Sequence, residues 1–301
     1  SVLFSGRQIV YVRKRLLPCI GAFSVLSSLI FAQPPDYGQL DPKPYDPKTE
    51  PNIDLFISSW KESMPRHTHG SLIERTIFTR NEGDPVKPET RGDVLTSLLR
   101  FNHGTLNAHT TTAPVTLDGE QEIFYIYGGK GVISAGGKSA ELYEGIGVLM
   151  PPGVEFTISN SGSKPLTMYI MVEPVPAGTK TRSDMLVRDE NVMTPASSNV
   201  HWSHIYKLLF GKEDGLTVLT GLGPVWFDPM TMGQPHSHGV GVEEIWFALQ
   251  GDITILLGKQ IRKLLPGMAY KIPPNGKTPH ATINDTDEPL KLFWFMSVPP
   301  R

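Results

Sequence analysis

The chain has 301 residues, 28 basic against 30 acidic side chains and 39% apolar residues, enough for one large domain or two ordinary ones. The balanced charge, with no basic stripe carrying interleaved aromatics, argues against a nucleic-acid partner. The single cysteine, Cys19, excludes an internal disulfide and a cysteine-ligated zinc site.

Arg7, Arg13, Lys14 and Arg15 precede an apolar run from Leu16 to Phe31, and Ala32 follows. A basic stretch, a short apolar stretch and a small residue describe a secretory signal peptide over residues 1–32. The expected location is then secreted or periplasmic, with no stable membrane insertion after cleavage; a retained signal anchor is the alternative. Cys19 follows Pro18 near the start of the run, the wrong place for lipidation. Residues 33–52 read as a Pro-rich extended linker, with Asp-Pro and Lys-Pro steps that disfavour helix. Leu72 to Phe78 reads as a strand leading into a charged loop with Gly83-Asp84-Pro85. From there short apolar runs alternate with Gly, Pro and Asn turns, and no long amphipathic helix stands out. With 27 prolines and 29 glycines, that pattern predicts an all-β sandwich or barrel.

An internal repeat sets the domain organisation. Glu122-Ile123-Phe124-Tyr125-Ile126-Tyr127-Gly128-Gly129 aligns with Glu244-Ile245-Trp246-Phe247-Ala248-Leu249-Gln250-Gly251. The offset of 122 holds again at Gly145 and Gly267, and at Pro151-Pro152 and Pro273-Pro274. Two copies of one β unit therefore occupy residues 53–180 and 205–301, joined by residues 181–204.

The second copy carries His236-Ser237-His238, then Glu244, then His280. Two residues apart on a strand, His236 and His238 leave the same face. Three imidazoles and one carboxylate are the ligand set of a divalent metal, and without an ion they are hard to justify together inside a barrel. Glu243 competes with Glu244, but strand parity groups Glu244 with Trp246 and Ala248 and turns Glu243 outward, as a solvated or subunit-contacting acid. Trp246 is the best pocket residue by that parity. Thr282 and Asn284 share the parity of His280 and are further pocket candidates, with loop pinning the alternative for Asn284.

These residues resemble the cupin superfamily, in its two-domain bicupin form. The first cupin motif reads Gly233, His236, His238, Glu244, Gly251; the second reads Gly267, Pro273, Gly276, His280, Asn284. The interval from His238 to Glu244 is one residue longer than the family pattern, and His280 lies two residues late. The resemblance covers residues 95 to 300 and implies two jelly-roll barrels. It implies His236, His238, Glu244 and His280 as metal ligands, with manganese or iron favoured and nickel, cobalt or zinc open. Related bicupins include oxalate decarboxylases and flavonol-type dioxygenases. The expectation is a secreted, bacterial-type bicupin binding one metal per chain. It would be an oxidoreductase of dioxygenase type, with decarboxylation second, acting on a small anionic organic ligand. A metal-dependent small-molecule or carbohydrate binder without turnover is the alternative, and a homodimer is compatible with the fold.

Subtracting the offset places Pro114, Thr116 and Glu122 opposite His236, His238 and Glu244, and the second motif puts Phe156 where His280 stands. The first barrel is thus expected to be a degenerate, metal-free site in which Phe156 fills the ligand's space. His103 and His109 would reach that cavity only through a bulge. His67-Thr68-His69 with Glu74 mimics half a motif but lacks the closing glycine, so surface or interdomain histidines are expected there.

Overall fold

The computed structural model describes residues 43–196 and 204–299; the expected signal segment and most of the linker lie outside them. The described chain is almost wholly β, with a few short 3-10 helices. Among the described residues, no helix is long and apolar enough to cross a membrane.

Each half pairs a large antiparallel sheet with a small one. In the first half the large sheet runs Leu186–Asp189, Ile146–Met150, Glu120–Gly128, Leu166–Pro174, Arg100–Leu106, Leu72–Arg80, Arg66–Thr68. Its small sheet runs Lys138–Leu142, Gly131–Ala135, Glu155–Asn160, with Thr110–Thr111 and Val115–Thr116 on the far edge. In the second half the large sheet runs Ile57–Ser59, Met268–Lys271, Glu243–Gln250, Leu290–Ser297, Gly221–Phe227, His204–Tyr206. The small sheet there runs Thr231–Met232, His280–Asn284, Ile253–Leu257, Gln260–Leu264. The repeat is therefore a repeat of strands in the same order, as the sequence offset predicts.

One exchange is not visible in the sequence. Ile57–Ser59 falls at the start of the first unit, 53–180, but pairs with Met268–Tyr270 of the second. Leu186–Asp189 precedes the second half but pairs with Ile146–Leu149 of the first. Each barrel thus completes its large sheet with the other's leading strand, which covers an edge that would otherwise be open.

The large sheets face each other, and this explains their unbroken apolar runs. In Glu120–Gly128, Phe124 and Ile126 enter the first barrel's core, whereas Ile123 and Tyr125 join the cluster between the barrels. In Glu243–Gln250 all of Glu243 to Ala248 is buried. Strands buried on both faces lose the polar alternation of a half-exposed sheet. Rings fill the seam: Tyr169 lies 4.0 Å from Phe247 and Phe101 lies 4.9 Å from Phe295, centroid to centroid.

Two carboxylates clamp the seam reciprocally. Glu243 accepts from the backbone N–H groups of Thr96, Ser97 and Leu98 and from the Thr96 hydroxyl. Glu173 accepts from the N–H groups of Thr217, Val218 and Leu219 and from the Gln121 side chain. Each carboxylate belongs to one half and holds a loop of the other. Glu243 indeed faces away from the metal-ligand cluster, but it is fully buried rather than solvated. The second large sheet packs its outer face on another barrel, not on water.

Candidate metal centre

Glu244 lies on the inner face of Glu243–Gln250, next to Leu290–Ser297 and one strand from Met268–Lys271. His280 opens His280–Asn284 on the opposing small sheet. His236 is tied to it by an isolated bridge: the His280 N–H donates to the His236 carbonyl at 2.9 Å and the reverse bond is 3.2 Å. His238, two residues on, points the same way. Nitrogen and oxygen atoms of His236, His238, Glu244 and His280 lie within 4.8 Å of one another. Their sequence separation is 44 positions at its widest, yet the barrel brings all four together.

The donor atoms suit a cation. The His236 Nδ1 sits 2.9 Å from the Gln234 carbonyl. A carbonyl only accepts, so Nδ1 carries the proton and Nε2 is the nitrogen with the lone pair, as a ligand role requires. His280 makes no hydrogen bond through either ring nitrogen, and its Nε2 lies 3.1 Å from a Glu244 oxygen. Glu244 also contacts His238 and accepts from the Trp294 indole N–H at 2.5 Å. Burial works to raise the Glu244 pKa, but His238 and His280 outweigh it and hold the carboxyl well below its ordinary range. The site is a buried carboxylate facing imidazoles, with a ring nitrogen at His280 that the protein itself leaves unsatisfied.

The walls are mostly aromatic. Trp246 is 6% exposed and lies near Trp294, Phe227 and His204, with ring centroids 6.2 to 6.5 Å away. Its indole N–H has no hydrogen-bond partner. Thr282 is buried, and its hydroxyl meets the Tyr270 hydroxyl at 3.1 Å. Asn284 has a different task. Its amide donates to the Phe227, Asp228 and Glu288 carbonyls and accepts from Thr286, so the side chain fastens the adjoining loops. Asn160 does the same in the first barrel, with bonds to Leu106, Asn107 and Lys164. Trp294 is the residue that parity did not single out. It faces Glu244 because it stands across from Trp246 on the neighbouring strand.

The first barrel lacks this centre, and strand register corrects its counterparts. His236 pairs with His280, whereas Phe156 pairs with Val115, and Thr116 pairs with Glu155. Val115 therefore occupies the place of His236, and Leu117 that of His238 by parity, in place of Pro114 and Thr116. The slip of one residue is the extra residue between His238 and Glu244. Glu122 holds the position of Glu244, and Phe156 that of His280. Pro114 and Thr116 are exposed.

Among the histidines of the first half, His69 departs from the expectation of a surface or interdomain place. His67 is exposed, but His69 turns inward: its Nε2 lies 3.2 Å from Glu122 and its Nδ1 3.7 Å from Glu74. His103 faces the other side of the sheet, stacked on Trp60 at 4.1 Å with its Nε2 2.5 Å from the Tyr127 hydroxyl. His109 is exposed.

Comparison with known proteins agrees with this architecture. Residues 225–296 match the cupin domain family. No curated protein matches the sequence. Among solved structures, the oxalate decarboxylase of Lactobacillus farciminis is 12% identical with a TM-score of 0.60, over 81% of this chain and 86% of that one. Vicilin of hazelnut, Corylus avellana, is 12% identical with a TM-score of 0.60, over 81% of this chain and 85% of that one. The Ylba protein of E. coli is 14% identical with a TM-score of 0.62, over 80% and 90%. At these identities the likeness defines the fold. The chain has a fold of two barrels, the second of which matches the cupin domain over residues 225–296 and holds a His/Glu cluster suited to a metal.

Proposed function

We propose that the protein is a metal-dependent enzyme of the dioxygenase type, acting on a small anionic organic substrate in the second barrel. The observation that carries this is the convergence of donor atoms of His236, His238, Glu244 and His280 within 4.8 Å. A divalent ion held by three neutral imidazoles and one carboxylate would keep a net charge near +1 and act as a Lewis acid toward carboxylate, enolate or phenolate oxygens. Manganese or iron suits the donors, with nickel, cobalt and zinc also compatible. Trp246 and Trp294 form an apolar wall that keeps water from the reacting atoms, and Trp294 fixes Glu244 by its indole bond. Glu243 is committed to the seam, which removes the nearest second carboxylate from the site. Decarboxylation needs a proton donor at the carbon left behind, and among the described residues the cluster holds one carboxylate, Glu244, which supports oxygen chemistry as the first choice. Secretion belongs to the same proposal and rests on the basic and apolar segment over residues 1–32.

Elemental analysis tests the metal assignment. The wild-type chain is expected to hold one divalent ion, and His236→Ala with His280→Ala to hold none. Two ions per chain, or retention in the double variant, refutes it. Turnover of phenolic and small-carboxylate substrates, with oxygen uptake followed, then separates an enzyme from a binder. Substrate that binds to the metal-loaded protein but is never converted would show a binder.

A further inference from the structure

The first barrel holds a polar cavity that the metal centre does not use. Its volume is about 510 Å³, and its floor is set by Glu122, Glu74, Asn102 and His69. Thr116, Asp118, Arg66 and His67 are exposed and stand at its mouth. Glu122 is the residue at the position of Glu244, but the imidazole facing it comes from outside the repeat. The hairpin that joins Arg66–Thr68 to Leu72–Arg80 turns at His69 and Gly70, both in the left-handed region, at φ 47° and 78°. For a non-glycine residue that conformation is uncommon and needs support from its surroundings. Here the Ala113 N–H holds the His69 carbonyl at 2.9 Å, and Ser71 bonds the Thr111 carbonyl at 2.8 Å. The turn aims the His69 ring into the barrel, where it lies 5.7 Å from Phe156.

This cluster is not a second metal centre. His69 uses one nitrogen toward Glu122 and the other toward Glu74, so the three groups do not converge on one point. What the floor offers is acceptors. Asn102 donates to Glu74, but its buried carbonyl oxygen, in a residue 1% exposed, accepts nothing. Glu122 is 2% exposed, and its Oε2 accepts no aligned hydrogen bond, having only the ion-pair contact with His69. Higher up, Arg100 bonds Glu120 at 2.8 Å and Arg66 bonds Thr76 at 2.7 Å, and both keep further N–H groups. Val115 and Leu117 add apolar surface where the second barrel has histidines.

We infer that this cavity is a second, metal-independent binding site for a small neutral polyhydroxylated molecule, a sugar or cyclic polyol. Hydroxyls donate and accept at once, so they satisfy the acceptor floor of Glu122 and Asn102 and the arginine donors above it. The lining sets the carboxylates of Glu74, Asp118, Glu120 and Glu122 against the guanidiniums of Arg66 and Arg100, an excess that disfavours an anion, and a sugar's C–H face fits Val115 and Leu117. Buried acceptors left without donors carry an uncompensated desolvation penalty, which a ligand hydroxyl recovers. The site stands or falls independently of the metal-dependent activity in the other barrel.

Calorimetric titration of the full chain with D-glucose, D-galactose, D-mannose and myo-inositol tests it, with glycine betaine and citrate as charged contrasts. At least one of the neutral probes should bind, and binding should survive EDTA and the His236→Ala, His280→Ala pair. Glu122→Gln should weaken it tenfold or more. Thr116→Trp, at an exposed position that tolerates a large side chain, should block it while the circular dichroism spectrum stays unchanged. Binding of none of the neutral probes, preference for betaine or citrate, loss with EDTA, or indifference to Thr116→Trp overturns the proposal.

Discussion

Removing the Glu243 carboxylate should loosen the join between the barrels without dismantling either one. In the structure this fully buried side chain accepts from three successive backbone N–H groups, those of Thr96, Ser97 and Leu98, and from the Thr96 hydroxyl. It also lies 3.8 Å from the Lys271 ammonium, which is itself fully buried and has no hydrogen-bond partner. Burial pushes the Lys271 pKa down to about 8, and Glu243 opposes that shift. In Glu243→Ala the three N–H groups lose their acceptor and Lys271 loses its counter-charge. Breaking a buried pair by removing one partner costs roughly 3–5 kcal/mol. Each orphaned buried donor adds about 1 kcal/mol or more where water cannot reach it, as at Leu98. A loss of about 4–6 kcal/mol is therefore expected, a large part of the stability of an ordinary protein. Urea unfolding followed by tryptophan fluorescence measures it. Glu243→Met with Lys271→Met should recover at least half of the loss, because no charge is then left buried. A loss below about 1 kcal/mol in the alanine variant would refute the clamp, since a solvated or dispensable carboxylate behaves that way.

Asn284→Ala should destabilise the second barrel by about 2–3 kcal/mol through its lost loop bonds yet keep the full metal content in elemental analysis; loss of the ion would make Asn284 part of the centre. His103 should make the protein acid-sensitive. Burial, with the Arg75 charge, depresses its pKa from 6.5 to about 4, so between those values the unfolded chain takes up a proton that the folded chain refuses. Stability from this group is complete above pH 6.5 and is lost as pH falls toward 4, by about 3 kcal/mol. Urea unfolding at both ends of that window should show a smaller fall for His103→Gln than for the wild type, and equal falls would refute the assignment.

The His/Glu cluster was legible because its information is local. His236 and His238 show strand parity, Glu244 opens a strand whose partner copy is visible at Glu122, and His280 sits in a second motif. The small irregularities were legible too. The extra residue after His238 and the late His280 appear in the strand register as the slip to Val115 and the longer loop before His280. Parity also turned Glu243 away from the cluster, but it could not say whether the space beyond held water or another sheet.

By itself, then, the sequence determined the two β units, their order of strands and the four residues that meet in the second barrel. Those follow from side-chain alternation and from a duplication that kept its spacing. Only the tertiary structure decided what crosses between the units. The exchange of Ile57–Ser59 and Leu186–Asp189, the paired clamps of Glu173 and Glu243, and the entry of His69 into the first barrel all join segments far apart in the chain. Such contacts have no period and no motif. They depend on which faces the folded sheets leave for each other, and a single strand's pattern records that a face is buried but not what buries it.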